Sequence, residues 1–487
     1  MAMEESSKLH VLCLPYFTPS HMIPLVNAAR VMAAQGVKIT ILTTKHNAAV
    51  VQSSIDEDNQ LGRDISIHNL RFPAAEVGLP EGIENFPAAT TMEIMGRLYQ
   101  ALPLLQKPME DFIMDLRPHC IFSDMFFPWT VDLADKMKIP RLMFYVNSFM
   151  SHCLPHYLEK YEPHKQVSSD SESFLIPGFP DKVEMKGSQL EEHLKKESFF
   201  TGVIKVVKDS ELRSHGLVFD NFYELEPQYA DYYQKVIGST KIWNIGPLFH
   251  FANKDKLITN NIVSSDKHSC LDWLDTQEPN SVVYVSFGSI TRFSQAQINE
   301  IASALENSNR PFIWVVRKFD EANRQDSWLP DGFEERIRNS NKGLIFKGWA
   351  PQLKILQHPA TGGFMTHCGW NSVLEALISG VPLITWPLFA EQFYNEILVG
   401  ILKVGISLGS DQWQGIPVIK GVVLESSDIE KGIHRMLSDT EESRKVRERT
   451  KEMSEIAKKS VEVGGSSYQD LLGLIDDLKS CAFGVKN

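Results

Sequence analysis

Between Thr361 and Ser379 the chain reads TGGFMTHCGWNSVLEALIS, and these residue types suit the capture of a phosphate-bearing ligand. Thr361 to Thr366 reads as a strand that runs into the tight turn His367-Cys368-Gly369-Trp370, after which Asn371-Ser372 open a helix. A helix entered this way presents unpaired backbone N–H groups and the positive end of its dipole at the carboxyl edge of a sheet, where a diphosphate is stabilised. Asn371 and Ser372 can add side-chain hydrogen bonds there, and His367 can donate to a phosphate oxygen. Glu375 lies one turn inward on the same face as Asn371 and could accept from a ribose diol. Trp349 ends the preceding strand and offers a flat face for a base. Each feature also has an ordinary explanation: glycine turns between strand and helix are common, Trp packs cores, and Asn-Ser caps helices.

The elements that must position these groups follow an α/β rhythm. His10 to Pro15 is a compact apolar run, Ile23, Leu25, Val26, Ala29 and Met32 recur at helical spacing, Gly36 closes that helix, and Val37 to Leu42 is a second strand. Strand, helix, strand is the right-handed unit of a doubly wound parallel sheet. His119–Ser123, Arg141–Tyr145 and Gly216–Asn221 continue the rhythm. From Phe249 to Ser269 the composition turns polar, as in a linker. A second series then alternates strands at 281–287, 311–316, 343–346, 361–366 and 381–386 with helical patterns at 295–307 and 371–379. A charged helix over 441–461 and, after Gly464-Gly465-Ser466-Ser467, an amphipathic helix from Tyr468 to about Leu478 close the chain.

With 487 residues the chain is long enough for two domains, and 43% hydrophobic content with 27 Phe and 9 Trp supplies ample apolar surface for two cores. A net charge of −12 disfavours nucleic acid and anionic membranes, which are recognised through clustered Lys and Arg, so small molecules are the expected partners. Six scattered cysteines form neither a disulfide framework nor a zinc pattern. The first nine residues lack the form of a signal peptide, and no stretch reaches the length of a membrane span. A cytoplasmic, reducing location and a monomeric state are the expectations.

The whole window from Trp349 to Gln392, WAPQLKILQHPATGGFMTHCGWNSVLEALISGVPLITWPLFAEQ, closely resembles the 44-residue signature of plant family-1 UDP-dependent glycosyltransferases, without a gap. Ser281–Ser289 (SVVYVSFGS), Pro311–Arg317 (PFIWVVR), Trp243–Leu248 (WNIGPL) and the N-terminal half are also similar to that family, so the resemblance covers most of the chain. It implies the GT-B architecture: two facing Rossmann-like domains with parallel sheets, and a C-terminal helix packing back on the N-terminal domain. The expected layout is an acceptor domain over 1–249, a linker over 250–269, a UDP-sugar domain over 270–462 and the returning helix over 463–487. By motif position, the resemblance sets Trp349 on uracil with the Ala350 backbone reading the base, Gln352 and Glu375 at the ribose, and His367, Asn371, Ser372 and Ser289 on the diphosphate. Trp370, Glu391 and Gln392 would then face the sugar, and a closing Gln is usually associated with glucose donors.

Displacing UDP from an anomeric carbon needs a base where the acceptor hydroxyl meets the donor. His21 starts the first helix at the carboxyl edge of the first sheet, where the helix dipole favours a neutral imidazole. Histidines at helix starts are ordinarily surface or capping residues, and an aspartate after a strand is ordinarily a turn former. The similarity of His21-Met22-Ile23-Pro24 and Phe122-Ser123-Asp124-Met125-Phe126 to the family's dyad makes His21 the base and Asp124 its orienting carboxylate. Two departures stand out: Ser20 where many relatives have Gly, and Asn147 where Thr is frequent and a sugar hydroxyl is read. Phe126, Phe127, Phe199 and Phe200, with Phe86, Met92 and Met95, could line a pocket for a bulky or polycyclic acceptor, or simply pack a core.

The implied reaction is inverting transfer, with glucose from UDP-glucose the expected donor, to a hydroxyl of a flavonoid, triterpenoid or steroidal aglycone or glycoside. No metal and no cofactor beyond the UDP-sugar co-substrate is expected. Asp56-Glu57-Asp58 has the D-x-D form of a metal-dependent transferase, but it is read as a solvated charge run in a polar loop over 53–63. No G-x-G-x-x-G follows the first strand, which argues against a nicotinamide enzyme. Other UDP-sugars, or a silent UDP-sugar-binding protein, are the alternatives.

Overall fold

The computed structural model describes residues 8–89, 91–253, 269–316, 329–348, 350–415, 418–419 and 421–484. They form two compact units. The first holds the described residues up to Asn147, those from Ser198 to Asn253 and those from Lys458 onward, and the second holds 148–197 and the described residues from 269 to 457.

In the first unit seven parallel strands form one sheet: β1 (His10–Leu14), β2 (Lys38–Thr44), β3 (Ile65–Leu70), β4 (Cys120–Asp124), β5 (Arg141–Tyr145), β6 (Gly216–Phe219) and β7 (Lys241–Asn244), in the order β3-β2-β1-β4-β5-β6-β7. Every residue of β4, β5 and β6 is buried, as expected of strands covered on both faces. The strand order reverses between β1 and β4, and in such sheets the crevice beyond the carboxyl ends at the reversal is where ligands bind. Helix α1 (Pro19–Ala34) follows β1, with Pro19 in its first turn, where the missing N–H costs nothing, and ends before Gly36 at φ 83°. The C-terminal helix Ser466–Phe483 covers the outer strand β7: Leu471, Leu474, Ile475 and Leu478 are buried, Ser467 Oγ donates to the Gly246 carbonyl at 2.6 Å and Asp470 accepts from the Asn244 N–H at 2.7 Å. That is the returning helix expected from the sequence.

The second unit has a six-stranded parallel sheet, β8 (Val282–Ser286), β9 (Phe312–Val316), β10 (Gly343–Lys347), β11 (Thr361–Thr366), β12 (Leu383–Thr385) and β13 (Gly405–Ser407), in the order β10-β9-β8-β11-β12-β13. Its reversal lies between β8 and β11. Val283, Val285, Trp314, Met365, Ile384 and Trp386 build the core on one face with helices Gln295–Asn307 and Ser426–Leu437.

Two expectations need correction. Residues 148–197 belong to the second unit although they follow β5 directly: helix Met150–Tyr161 packs on helix Gln392–Leu402, the Ser173–Leu175/Glu184–Lys186 hairpin follows it, and Lys186 pairs with Asp411 at 2.6 Å. Partners more than 200 residues away decide this, and local composition carries no trace of them. Asp56-Glu57-Asp58 lies in helix α2 (Lys45–Gln60), not in a loop, and Asp58 is buried between Arg30 Nε at 2.5 Å and Arg63 Nη1 at 2.6 Å. On a helix, residues two apart point to different sides, so Asp56 and Asp58 share no ligand. Of the expected linker, 250–252 are helical in Leu248–Ala252, and 254–268 lie outside the described residues.

Candidate active site

At the first reversal the chain leaves β1 through Pro15, Tyr16 and Phe17 and enters α1, with His21 in its opening turn. Asp124 is the last residue of the neighbouring strand β4. Although 103 residues apart, they meet: His21 Nδ1 lies 2.8 Å from Asp124 Oδ2. The Asp124 side chain is fully buried and that of His21 is 21% exposed. The second carboxylate oxygen accepts from the Phe126 N–H at 3.0 Å, so the turn after β4 holds the carboxylate square to the imidazole. With its Nδ1–H donated to Asp124, the histidine carries its basic lone pair on Nε2, and the carboxylate stabilises the imidazolium that forms when a proton is taken.

Aromatic rings frame this pair. Tyr16 and Phe126 lie 6.0 and 5.4 Å from the His21 ring, Tyr16 stacks on Phe86 at 5.7 Å, and Phe86 meets Tyr99 at 4.9 Å. Burial, with the fields of Tyr99 and Asp124, pushes the Tyr16 hydroxyl well above the usual phenol range, so Tyr16 stays neutral beside the pair. Of the expected acceptor residues, Phe126 is at the dyad, whereas Phe127 turns into the core against Phe17 and Tyr16. Phe86 and Met95 are core residues, and Met92 is exposed. Asn147 follows β5 half-buried; Phe200 is largely exposed in helix Phe199–Arg213, and the Phe199 side chain lies outside the described residues. A tyrosine in a turn and one on a long helix give no sign in the sequence that Tyr16 meets the His21 ring or that Tyr99 joins it through Phe86.

At the second reversal β11 ends at Thr366 and helix α3 (Trp370–Ser379) begins two residues after Cys368. Asn371 and Ser372 sit in its first turn, where backbone N–H groups lack intrahelical partners. A Cβ on Gly288, which follows β8, or on Gly369 would lie 2.6 or 2.7 Å from His367 Nε2, so the imidazole occupies a slot that only glycine on both sides permits. Burial lowers the His367 pKa to about 4, which makes it a neutral hydrogen-bonding group and not a cation. Ser289 follows Gly288, half-buried.

The ribose candidates form a relay. Tyr284 of β8 donates its hydroxyl to Gln352 Oε1 at 3.1 Å, and Gln352 Nε2 donates to Glu375 Oε2 at 2.8 Å. Ala350 is buried, and its carbonyl accepts from the Gln352 N–H. Trp349 lies outside the described residues. Trp370 is buried; Glu391 is half-buried just before helix α4 (Gln392–Leu402). Gln392 is buried with its Oε1 held by the Leu388 and Phe389 N–H groups at 2.9 and 3.1 Å, which leaves its amide N–H groups as the part that can address a sugar oxygen. Tyr284 and Asn395, both part of this framework, went unselected, since neither stands out from an apolar strand or helix.

Among the described residues one trio has metal-ligand spacing, His215, Asp477 and Cys481, and it lies where the C-terminal helix meets the start of β6, at neither reversal. Lys241 already pairs with its Asp477. No helix among the described residues is long and apolar enough to cross a membrane.

Comparison with known proteins bears on both reversals. Residues 227–408 match the family profile of UDP-glucoronosyl and UDP-glucosyl transferase. The chain is 52% identical over 487 residues to a nuatigenin 3-beta-glucosyltransferase of Solanum aculeatissimum, with 98% of each chain covered. It is 50% identical to solanidine UDP-glucose glucosyltransferase 1 of Solanum tuberosum, with 97% of each covered. Its structure matches that of Glycyrrhiza uralensis UGT73P12 complexed with glycyrrhetinic acid 3-O-monoglucuronide at a TM-score of 0.92 and 40% identity, covering 98% of this chain and 97% of that one.

Proposed function

This chain belongs to the plant family-1 UDP-dependent glycosyltransferases, with the GT-B fold of two Rossmann-like domains, and from that premise we propose that it transfers glucose from UDP-glucose to a hydroxyl of a steroidal or triterpenoid acceptor with inversion. The contact between His21 Nδ1 and Asp124 Oδ2 at 2.8 Å, at the reversal of the first sheet, is the observation that carries the reading. In the proposed step the acceptor O–H gives its proton to His21 Nε2 as the oxygen forms its bond to the anomeric carbon. The bond from that carbon to the diphosphate oxygen breaks, its electron pair leaves with UDP, and an α-linked donor becomes a β-glucoside. Asp124 holds the imidazole and balances its positive charge.

On the donor side, the first-turn amides of α3, with Asn371, Ser372, Ser289 and neutral His367, receive the diphosphate and the charge it gains as UDP departs. Gln352 and Glu375 take the ribose, Ala350 and Trp349 the base, and Trp370, Glu391 and Gln392 the sugar. Helix-terminus charge compensation makes metal unnecessary for this scheme, so activity should survive EDTA. Phe126 and Tyr16 give the acceptor an apolar wall beside the base, with Asn147, Phe199 and Phe200 the further candidates from the sequence. A steroidal acceptor class is supported by relatives named for nuatigenin and solanidine, and a triterpenoid one by a relative named for soyasapogenol B glucuronide and by the glycyrrhetinic acid 3-O-monoglucuronide complex, with flavonoids as the other class that relatives use. A cytoplasmic monomer acting on small molecules completes the proposal.

The test is a mass-spectrometric screen of the purified chain with several UDP-sugars against steroidal, triterpenoid and flavonoid acceptors, in EDTA. A gain of one hexose from UDP-glucose on a steroidal or triterpenoid acceptor is expected. UDP binding with no product from any pair would replace the catalytic reading with that of a silent binder.

A further inference from the structure

The turn that carries His367 contains a residue in a costly conformation. Cys368 has φ 65°, in the left-handed region that residues with a Cβ seldom adopt, and such strain persists only where the surroundings hold it. Its own side chain gives little help, since the thiol reaches only the Thr366 carbonyl at 3.8 Å. The stronger hold comes from α4. Asn395 is fully buried, donates from Nδ2 to the Cys368 carbonyl at 2.9 Å, and accepts at Oδ1 from Ser148 Oγ at 2.7 Å. The two bonds fix the orientation of the amide: reversed, it would press its oxygen against the Cys368 carbonyl oxygen with no proton between them.

We propose that Asn395 is a positioning residue for the donor diphosphate: by clamping the Cys368 carbonyl, it keeps the 367–369 turn in the conformation that aims His367 and the first amides of α3 at one anion. Ser148 sets the Asn395 amide from behind. The His367 ring, confined between Gly288 and Gly369, follows the backbone and cannot compensate for a turn that relaxes. This inference rests on the reading of α3 as the diphosphate site. The ordinary alternative is that Asn395 only satisfies buried polar groups and so stabilises the unit as a whole. The two differ in what they do to the two halves of the nucleotide, because the Gln352–Glu375 relay proposed for the ribose makes no hydrogen bond to Asn395.

The experiment is titration of the full chain with UDP by calorimetry and with uridine by ligand-detected NMR, for wild type, Asn395→Ala, Asn395→Asp and Ser148→Ala. Asn395→Ala should weaken UDP about tenfold and leave uridine unchanged, the effect of one lost buried hydrogen bond felt only by the phosphates. Asn395→Asp should weaken UDP further, because it sets a carboxylate against a carbonyl and beside an anion. Ser148→Ala, which keeps the bond to Cys368, should cost UDP about two- to threefold. Equal losses for UDP and uridine, or none for either, would overturn the proposal. If Asn395→Ala does not fold, Ser148→Ala decides on the same contrast. Wild-type protein that fails to bind UDP at all would instead remove the donor reading itself.

Discussion

The two sheet reversals solve different chemical problems with different materials. In the proposed function the first makes a base from two side chains that arrive from separate strand ends, His21 and Asp124, and each strand end adds a ring beside the imidazole, Tyr16 and Phe126. The second, in the same proposal, makes an anion site from backbone: a strand, a strained turn, a helix start and two glycines that leave a slot for His367. A proton acceptor must have a particular lone pair aimed at one atom, which only a tertiary pairing can fix. A diphosphate spreads its charge over several oxygens and is satisfied by a row of N–H groups that one continuous stretch can supply.

If this division holds, damage at the first reversal should spare UDP affinity and damage at the second should not. The largest effect is expected from His21→Ala, which should lower kcat by about 10²–10⁴ while the Kd for UDP, read by calorimetry, stays at the wild-type value. Gly288→Ala, at φ 77° and with its new methyl against His367, should lower UDP affinity about 10- to 100-fold and kcat with it, because the same groups take up the charge that the diphosphate gains as UDP departs. Loss of UDP binding in the first variant, or loss of kcat alone in the second, would break the comparison. A smaller change, about three- to tenfold in the affinity of both UDP and uridine, is expected from Gln352→Leu, which cuts the relay from Tyr284 to Glu375.

The last prediction is an absence of change. UDP-glucose carries no group that titrates near neutrality, and His367 stays neutral until about pH 4, so the Kd for UDP-glucose should be flat between about pH 5 and 7.5. Binding that tightens as pH falls through 6 would mean that His367 gains its proton there and acts as a cation. The same depressed pKa has a stability consequence of definite sign. An unfolded His367 takes a proton near pH 6.5 and the folded one near 4, so its contribution is fully present above 6.5 and is lost as pH falls through that window.

Much of this molecule is legible from order alone. The apolar runs at 10–15, 37–42, 119–123, 141–145, 281–287 and 311–316 are strands because parallel strands buried on both faces must be continuously apolar, and that is a local property. Helix starts at Pro19 and Trp370 are local in the same way, and so is the 349–392 signature, a continuous run through helix Gln352–Leu356, β11, α3 and β12 to the start of α4. Helix Met92–Leu116 was missed because Pro103 and Pro108 interrupt its pattern, although both are accommodated within the helix. Asp58 was misread because its neighbours Asp56 and Glu57 look solvated, while its own burial depends on Arg30, 28 residues earlier.

By itself, then, the sequence determined the two α/β bodies, the strand-turn-helix at 361–379 and the candidates His21 and Asp124, all of them features written in neighbouring residues. Tertiary structure alone decided that His21 and Asp124 touch, that Tyr16 and Phe126 flank His21 while Phe127 turns inward, that residues 148–197 join the second unit, and that Asn395 bonds the Cys368 carbonyl. The reason is physical: periodicity reports which face of an element is buried, but the partner of a buried polar group is chosen by packing between segments tens to hundreds of residues apart.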